Sequence, residues 1–353
     1  MRVLHLINST TSGGAEILLL KSIEKFNELY PDDVHGVATL FEKGNLISRL
    51  PEGTEHFHIG ITWMNFPLKI FSLNRYLKQN RIEILHSHLF ESTIASRLAL
   101  PRGVKLVSTY HSDMHNPASI EYSRKRLLAD RITFRKKYFT VFVSSPVMRK
   151  IVKAVAMKKY EVVPNFPSSE FKPVYIFNSR RELKIVSVGG LKEIKNYPLA
   201  VAALSTLKEH DISLDIYGDG KERDALQKLI SDSGVRIRLM GDAQISSSLL
   251  AEYDLFLMTS KSEGMPISLL EAIASGLPSL LNDIDMLRET AIDAALFFSN
   301  NSSGSLKEKL TEIYTNKNIL RTLSDNAKKV SENYSVEKYV RKLHGIYELL
   351  LKS

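Results

Sequence analysis

Short β-branched and apolar runs alternate along this chain with longer stretches whose apolar residues recur every three or four positions. In the first half the pattern predicts strands at 2–7, 35–41, 82–86, 105–110, 139–143 and 161–163, and helices at 15–29, 68–80, 92–99 and 147–156. The run Pro164-Asn165-Phe166-Pro167 and a polar stretch to about Arg181 close that half. The second half repeats the plan, with strands at 184–188, 213–217, 236–240, 253–258 and 279–281 and helices between them. The stretch 336–351 carries Tyr339, Leu343, Ile346, Tyr347 and Leu350 at helical spacing and reads as a long final helix. Alternating strand and helix argues for parallel sheets covered on both faces. The fold expected is therefore α/β, as two doubly wound Rossmann-like domains facing across a cleft. The boundaries expected are 1–170, 171–334 and a final segment 335–353.

Size agrees with that plan, because 353 residues are too many for one ordinary core and suit two domains of roughly 150–180 residues. With 44% apolar and 25% charged residues the balance is that of a soluble protein, and no run of about 18 apolar residues predicts a membrane span. The apolar part of the opening MRVLHLINSTTSGG is shorter than the roughly 7–15 residues of a leader core and reads as a strand, so a cytoplasmic location is expected. Cysteine is absent, which excludes disulfides and thiolate metal sites.

Charge adds one feature. The net charge of +9 suits an anionic partner, and much of the excess is local. Between 123 and 137, Arg124, Lys125, Arg126, Arg131, Arg135, Lys136 and Lys137 surround Leu127, Leu128, Ile132 and Phe134, an amphipathic basic helix. Such a helix suits either an anionic membrane surface, which it would touch peripherally, or a solvated face on an ordinary core helix. Nucleic acid is not an expected partner, because no basic patch is interleaved with aromatic residues.

Four segments carry candidate chemistry. In 262–276, Gly264 admits close backbone approach, Pro266 suits the first helical position and Gly276 suits the stop. A helix opening just past a parallel strand offers free amides to an anion, here those of Ile267 and Ser268, with Met265 before them. Glu263 precedes that helix and Glu271 lies about one turn inside it. Both suit sugar hydroxyls, or else a helix cap and a solvated carboxylate. In 186–198, Gly189 and Gly190 turn the chain ahead of Lys192 and Lys195, and Lys195 is placed to meet a diphosphate as a point charge. In the first half, Gly13 and Gly14 open a helix that can cradle an anion. The three-glycine dinucleotide spacing is absent, and the other reading is a glycine turn with Glu16 complementing the helix start. His111 stands at a strand's carboxyl edge, within reach of a bound sugar. His86 and His88 are read as alternating to opposite faces, hence poor joint metal ligands, and Asp283 and Asp285 near a turn are not expected to bind metal either.

Taken together, these residues resemble the retaining glycosyltransferases of family 4, which have the GT-B fold, over nearly the whole chain. The most specific part runs from Glu263 to Glu271 and on through Ala272-Ile273-Ala274-Ser275-Gly276-Leu277-Pro278. Supporting matches are Gly13-Gly14-Ala15-Glu16, Thr109 to His111, Val163-Pro164-Asn165, Lys195-Asn196, Tyr217-Gly218-Asp219-Gly220, Met240-Gly241 and Glu289. The resemblance implies that Lys195 holds the donor diphosphate, helped by the amides after Gly264. It gives the nucleotide ribose to Glu271, and the transferred sugar to Glu263 and, from the first domain, His111. It implies transfer with retention, no cofactor beyond the nucleotide-sugar co-substrate, no metal, UDP rather than GDP as the nucleotide, and a glycan or lipid-linked acceptor in cell-envelope polysaccharide synthesis. The final helix would return to the first domain.

Two positions depart from the family. An arginine that would make a second diphosphate contact is replaced by Gly190. Its loss is worth on the order of 1.5–3 kcal/mol in donor binding unless Lys192 or Arg288 compensates. The family glycine after Asn165 is Phe166. Two other functions fit the same fold, a nucleotide-sugar epimerase or phosphorylase-like enzyme and a partner subunit that has lost donor binding. A nucleotide-sugar isomer formed without acceptor would mark the first, and failure to bind any donor would mark the second.

Overall fold

The structure is a computed structural model and describes residues 1–11, 13–62, 64–112, 123–177 and 181–353. The chain divides into two compact units: Met1–Phe166 with Val336–Ser353, and Pro167–Ser335.

The first unit is built on strands β1 (Arg2–Ile7), β2 (Val34–Thr39), β3 (His56–His58), β4 (Ile84–His88), β5 (Lys105–Tyr110), β6 (Phe139–Phe142) and β7 (Lys159–Val162). All pair in parallel, in the order β3-β2-β1-β4-β5-β6-β7. Helices α1 (Gly14–Leu29), α2 (Phe66–Gln79), α3 (Phe90–Ala99), α4 (Arg124–Thr133) and α5 (Ser145–Val155) connect them. Parallel strands need such crossovers, and helices on both faces leave the strands buried on both sides. β1 accordingly reads RVLHLI, with every residue after Arg2 buried.

The second unit has strands β8 (Leu183–Val188), β9 (Ile212–Tyr217), β10 (Ile237–Gly241), β11 (Leu255–Met258), β12 (Ser279–Asn282) and β13 (Ala295–Phe298), ordered β10-β9-β8-β11-β12-β13. Its helices are α6 (Tyr197–Leu204), α7 (Arg223–Ser233), α8 (Ser247–Leu250), α9 (Ile267–Ala274), α10 (Asp285–Ala291), α11 (Ser303–Thr315) and α12 (Asn318–Ser331). Two cores flank the sheet. Leu255 and Leu257 of β11 face Ile185, Leu214 and Leu310, while Phe256 and Met258 face Val186, Leu269 and Ile273. The last helix, α13 (Val336–Lys352), packs on α1 in the first unit and buries Tyr339, Val340, Leu343, Ile346, Tyr347 and Leu350.

The predicted strands fall where the hydrophobic pattern puts them, while two further strands, β3 and β13, and the helices α10, α11 and α12 after the last predicted strand are not anticipated by it. β3 is three residues of half-buried edge, and β13 is four residues at one edge of the second sheet. The basic helix is shorter than expected. α4 ends at Thr133, Phe134 turns inward, and Arg135, Lys136 and Lys137 follow the helix rather than extend it.

α4 is held by a buried ion pair. Arg97 of α3 donates through Nη1 to Asp130 Oδ1 at 2.5 Å, both side chains almost fully excluded from solvent. The Tyr110 hydroxyl lies 2.9 and 2.8 Å from the two Asp130 oxygens. With Asp130 inward, Leu128 and Ile132 on the same helix are left 58% and 63% exposed beside Arg124, Lys125 and Arg131.

Candidate functional site

β8 ends at Val188, and Gly189 and Gly190 carry the chain over the carboxyl edge of the second sheet. Glycine is required at two places here. A Cβ on Gly218, whose φ is +128°, would lie 2.4 Å from the Gly189 carbonyl oxygen, and one on Gly220 would meet Leu191 O at the same distance. The loops after β8 and β9 therefore touch backbone to backbone, which only residues without side chains allow.

Beyond Lys192 a 3₁₀ turn, Glu193–Lys195, leads through Asn196 in the left-handed region to α6, with Pro198 in its first turn. Lys195 is fixed from both sides. Its carbonyl accepts from Thr259 Oγ1 at 2.7 Å, and the neighbouring Ile194 carbonyl accepts from the Lys261 amide at 2.9 Å. Its Nζ donates to Glu263 Oε1 at 2.7 Å, with the two side chains 17% and 12% exposed. Burial alone would depress the ammonium. The Glu263 carboxylate, with the Tyr197 hydroxyl behind it, more than offsets this, and Lys195 is held above the usual lysine range.

Glu263 thus bonds a lysine from the next strand's loop and does not cap the helix. α9 begins one residue later than the proline suggests: Pro266 is extended and occupies the N-cap, and Ile267 opens the helix. The amides of the first turn have no partners within the helix, because its first bond runs from Leu270 N to Pro266 O. Gly264 and Met265 are both buried ahead of it. α9 is apolar nearly all round, with Leu269, Leu270, Ala272, Ile273 and Ala274 buried, so packing on β11 and β12 fixes its direction. It stops at Ser275, followed by Gly276 at φ +74°, as the glycine predicts.

Glu271 is half-buried rather than solvated. Burial first, and then the carboxylate of Glu170, push its acid up to about 7. The influence of Glu170 is not visible from sequence, since it lies in the irregular segment before β8. At Gly190, an added Cβ would sit 3.4 Å from Asp219 O and 3.6 Å from Lys192 Cε, so Lys192 runs alongside the empty position. Arg288, the other candidate to compensate, has its guanidinium forked onto Asp283 and stacked 4.5 Å from the centre of the Phe297 ring. That same fork engages both carboxylate oxygens of Asp283.

The remaining predicted residues, Gly13, Gly14 and His111, belong to the first unit. Gly13 is the extended N-cap of α1, and a Cβ on it would lie 2.3 Å from Glu16 Oε2. The helix start is therefore covered by its own first-turn carboxylate, the other reading of that loop. His111 follows β5, with its Nε2 3.4 Å from His88 Nδ1, and burial lowers its pKa to about 4. Expecting His86 and His88 to diverge was wrong. In a strand it is alternate residues that share a face, and the two rings lie 4.3 Å apart beside His5. His5, His86 and His88 bring nitrogens within 4.8 Å of one another, close enough for a metal ion. Every one of those nitrogens already has a partner: His88 and His35 for His5, Tyr347 and Thr109 for His86, His5 and His111 for His88.

Residues 172–330 match the family described as glycosyl transferases group 1, and residues 37–169 match glycosyltransferase family 4. A stretch of 170 residues is 31% identical to the GtfA subunit of a UDP-N-acetylglucosamine–peptide N-acetylglucosaminyltransferase from Streptococcus gordonii. It covers 44% of this chain and 33% of that one, so the match spans about a third of that relative's length. Over 92% of both chains, 24% of residues are identical to an Escherichia coli UDP-Gal:alpha-D-GlcNAc-diphosphoundecaprenol alpha-1,3-galactosyltransferase. A glycosyltransferase structure from Rickettsia africae superposes over 99% of both chains with a TM-score of 0.83 at 18% identity, a likeness of fold. With the two family matches lying on the two parallel-sheet units in turn, the chain belongs to the family 4 glycosyltransferases and has their GT-B fold.

Proposed function

We propose that this chain transfers a sugar, with retention of configuration, from a UDP-sugar to a hydroxyl of a glycan or lipid-linked glycan in cell-envelope polysaccharide synthesis. The observation that carries the reading is the Lys195–Glu263 pair, two largely buried charges from adjacent strand loops, four residues before the opening of α9. An ammonium has three protons. One goes to Glu263, and two are left for the oxygens of a diphosphate. The amides of Ile267 and Ser268 add donors, and the helix start adds partial positive charge.

In the proposed reaction the bond between the anomeric carbon and the diphosphate breaks as the acceptor hydroxyl attacks the same face. The hydroxyl proton passes to the departing phosphate oxygen. Lys195 and the start of α9 stabilise the charge that grows there, which is the task a metal ion performs in other sites, so no metal or cofactor is required. Glu271 takes the ribose hydroxyls, Glu263 and His111 contact the sugar, and Lys192 serves the diphosphate beside Gly190. UDP is preferred to GDP because both curated relatives named above use UDP-sugars by their names, and the lipid-linked acceptor follows the diphosphoundecaprenol of the second.

Contact with the inner face of a membrane is part of the reading. No helix among the described residues is long and apolar enough to cross a bilayer. α4 instead offers exposed Leu128 and Ile132 among arginines and lysines, the composition of a surface-lying helix. A hydrolysis screen over UDP- and GDP-sugars tests the proposal. Turnover of at least one UDP-sugar is expected, and no binding or hydrolysis of any donor would overturn it.

A further inference from the structure

We infer that a one-way chain of four buried histidines fixes His111 as its Nδ1–H tautomer. Direct register of β1 with β2 and β4, and of β4 with β5, puts His5, His35, His86, His88 and the position of His111 on one face of the first sheet. Four of them are joined in series. His35 Nδ1 lies 3.1 Å from His5 Nε2, His5 Nδ1 lies 3.3 Å from His88 Nε2, and His88 Nδ1 lies 3.4 Å from His111 Nε2. His86 stands outside the series, its nitrogens held by Thr109 and Tyr347.

Burial lowers the pKa of each of the four, His35 and His111 to about 4, so at neutral pH each ring carries one N–H and one lone pair. Every link joins an Nδ1 to an Nε2, so the tautomers move together. Either all four protons sit on Nδ1 and each ring donates toward His111, or all four sit on Nε2 and each donates toward His35.

The far end selects between these states. Among the described residues His35 Nε2 is buried without a hydrogen-bond partner, and the ring is stacked 4.2 Å from that of Phe26, which offers no lone pair in its plane. Asp33 acts on His35 through space, but its carboxylate bonds the Met1 ammonium and His344 Nε2. Reversing the chain would place a proton on His35 Nε2 with no acceptor among the described residues. Buried orphan N–H groups are among the rarest defects in folded proteins, and a bare lone pair is better tolerated. The structure therefore assigns the Nδ1–H state. His111 offers a donor at Nδ1, and its Nε2 lone pair is taken by His88. His35, His5 and His88 are positioning residues acting through it. As a contact to the transferred sugar, a role that rests on the function proposed above, His111 would donate to an oxygen lone pair and could not take the acceptor's proton.

Long-range proton–nitrogen NMR on the full chain with labelled histidine reads each tautomer directly and needs no donor, so its outcome is independent of whether the chain transfers sugar. The expected result at pH 7 is neutral rings at His5, His35, His88 and His111, all protonated on Nδ1. A dominant Nε2–H form or a protonated ring at any of the four overturns the inference. His35→Asn keeps an amide donor near the position of Nδ1 and should retain the Nδ1–H signal at His111. His35→Phe leaves His5 Nε2 as the partnerless end and should keep that signal too, whereas His35→Asp sets an acceptor before His5 Nε2 and should reverse the chain to Nε2–H. An unchanged tautomer at His111 in folded His35→Asp overturns the transmission along the chain, and if that variant does not fold the wild-type spectrum decides.

Discussion

Lys195 Nζ bonds Glu263 Oε1 at 2.7 Å, so the side chains proposed for two parts of one donor, its diphosphate and its sugar, are joined to each other. Removing the lysine has two effects. A positive charge is lost where charge develops, and a carboxylate only 12% exposed loses its counter-ion. Lys195→Ala is expected to lower kcat for UDP-sugar turnover about 10²–10³-fold, the usual range for one stabilising donor. It should also lower the stability of the second unit, by less than the roughly 3–5 kcal/mol of a fully buried pair. Steady-state kinetics with thermal unfolding checks both, and wild-type kinetics would mean that the phosphates are held elsewhere.

Glu271 gives a pH signature. Its folded acid is raised from 4.5 to about 7, so the folded chain holds this proton more tightly than the unfolded one. The stability it contributes is fully present below pH 4.5 and is lost as pH rises through about 7. Ribose hydroxyls donate best to the ionised form, so donor binding should run the other way, tightening by at most about tenfold per pH unit up to that pKa and then levelling. Calorimetry with an intact UDP-sugar, which has no terminal phosphate titrating in that window, should show proton release on binding. Glu271→Gln should abolish the pH dependence, and a flat wild-type profile would remove Glu271 from the ribose.

Gly190 has room for the side chain it lacks, its nearest neighbours at an added Cβ being 3.4 and 3.6 Å away and its φ ordinary. Gly190→Arg is expected to fold and to tighten UDP-sugar binding by roughly 10–100-fold, the equivalent of about 1.5–3 kcal/mol for a charge-assisted contact. Lys192→Ala in the natural background should weaken it. Unchanged affinity in both would show that the diphosphate does not pass over this loop.

The exposed face of α4 makes a separate prediction. Replacing Leu128 and Ile132 together by serine should reduce sedimentation with vesicles rich in anionic lipid and leave hydrolysis of a soluble donor unchanged. Vesicle binding that survives this change and responds only to salt would assign the contact to charge alone.

Much of this was legible in the residues. A sheet buried on both faces writes its strands as unbroken apolar runs, and Gly276 and Pro266 bracket α9 to within one residue. Contacts that join distant strands were not legible. The Lys195–Glu263 pair spans 68 positions, and nothing local in either segment names its partner. The histidines were misplaced for a different reason. The alternation rule, applied correctly, puts His86 and His88 on one face. Finding His5 and His35 beside them needed the strand order as well, because β1 lies between β2 and β4 in space but precedes both in the chain.

The Tyr347 hydroxyl rests 2.5 Å from His86 Nδ1, and its ring lies 5.9 Å from that of Phe26. The first unit thus closes its core with a helix made only after all of Pro167–Ser335 has been synthesised. At ribosomal speeds of about 5–20 residues per second, the nascent sheet waits roughly 10–30 s with this face uncovered. During that interval Phe26 and His86 lack the Tyr347 ring that packs on both. The first unit begins to form first and finishes last, and its completion reports that the chain in between has already been made.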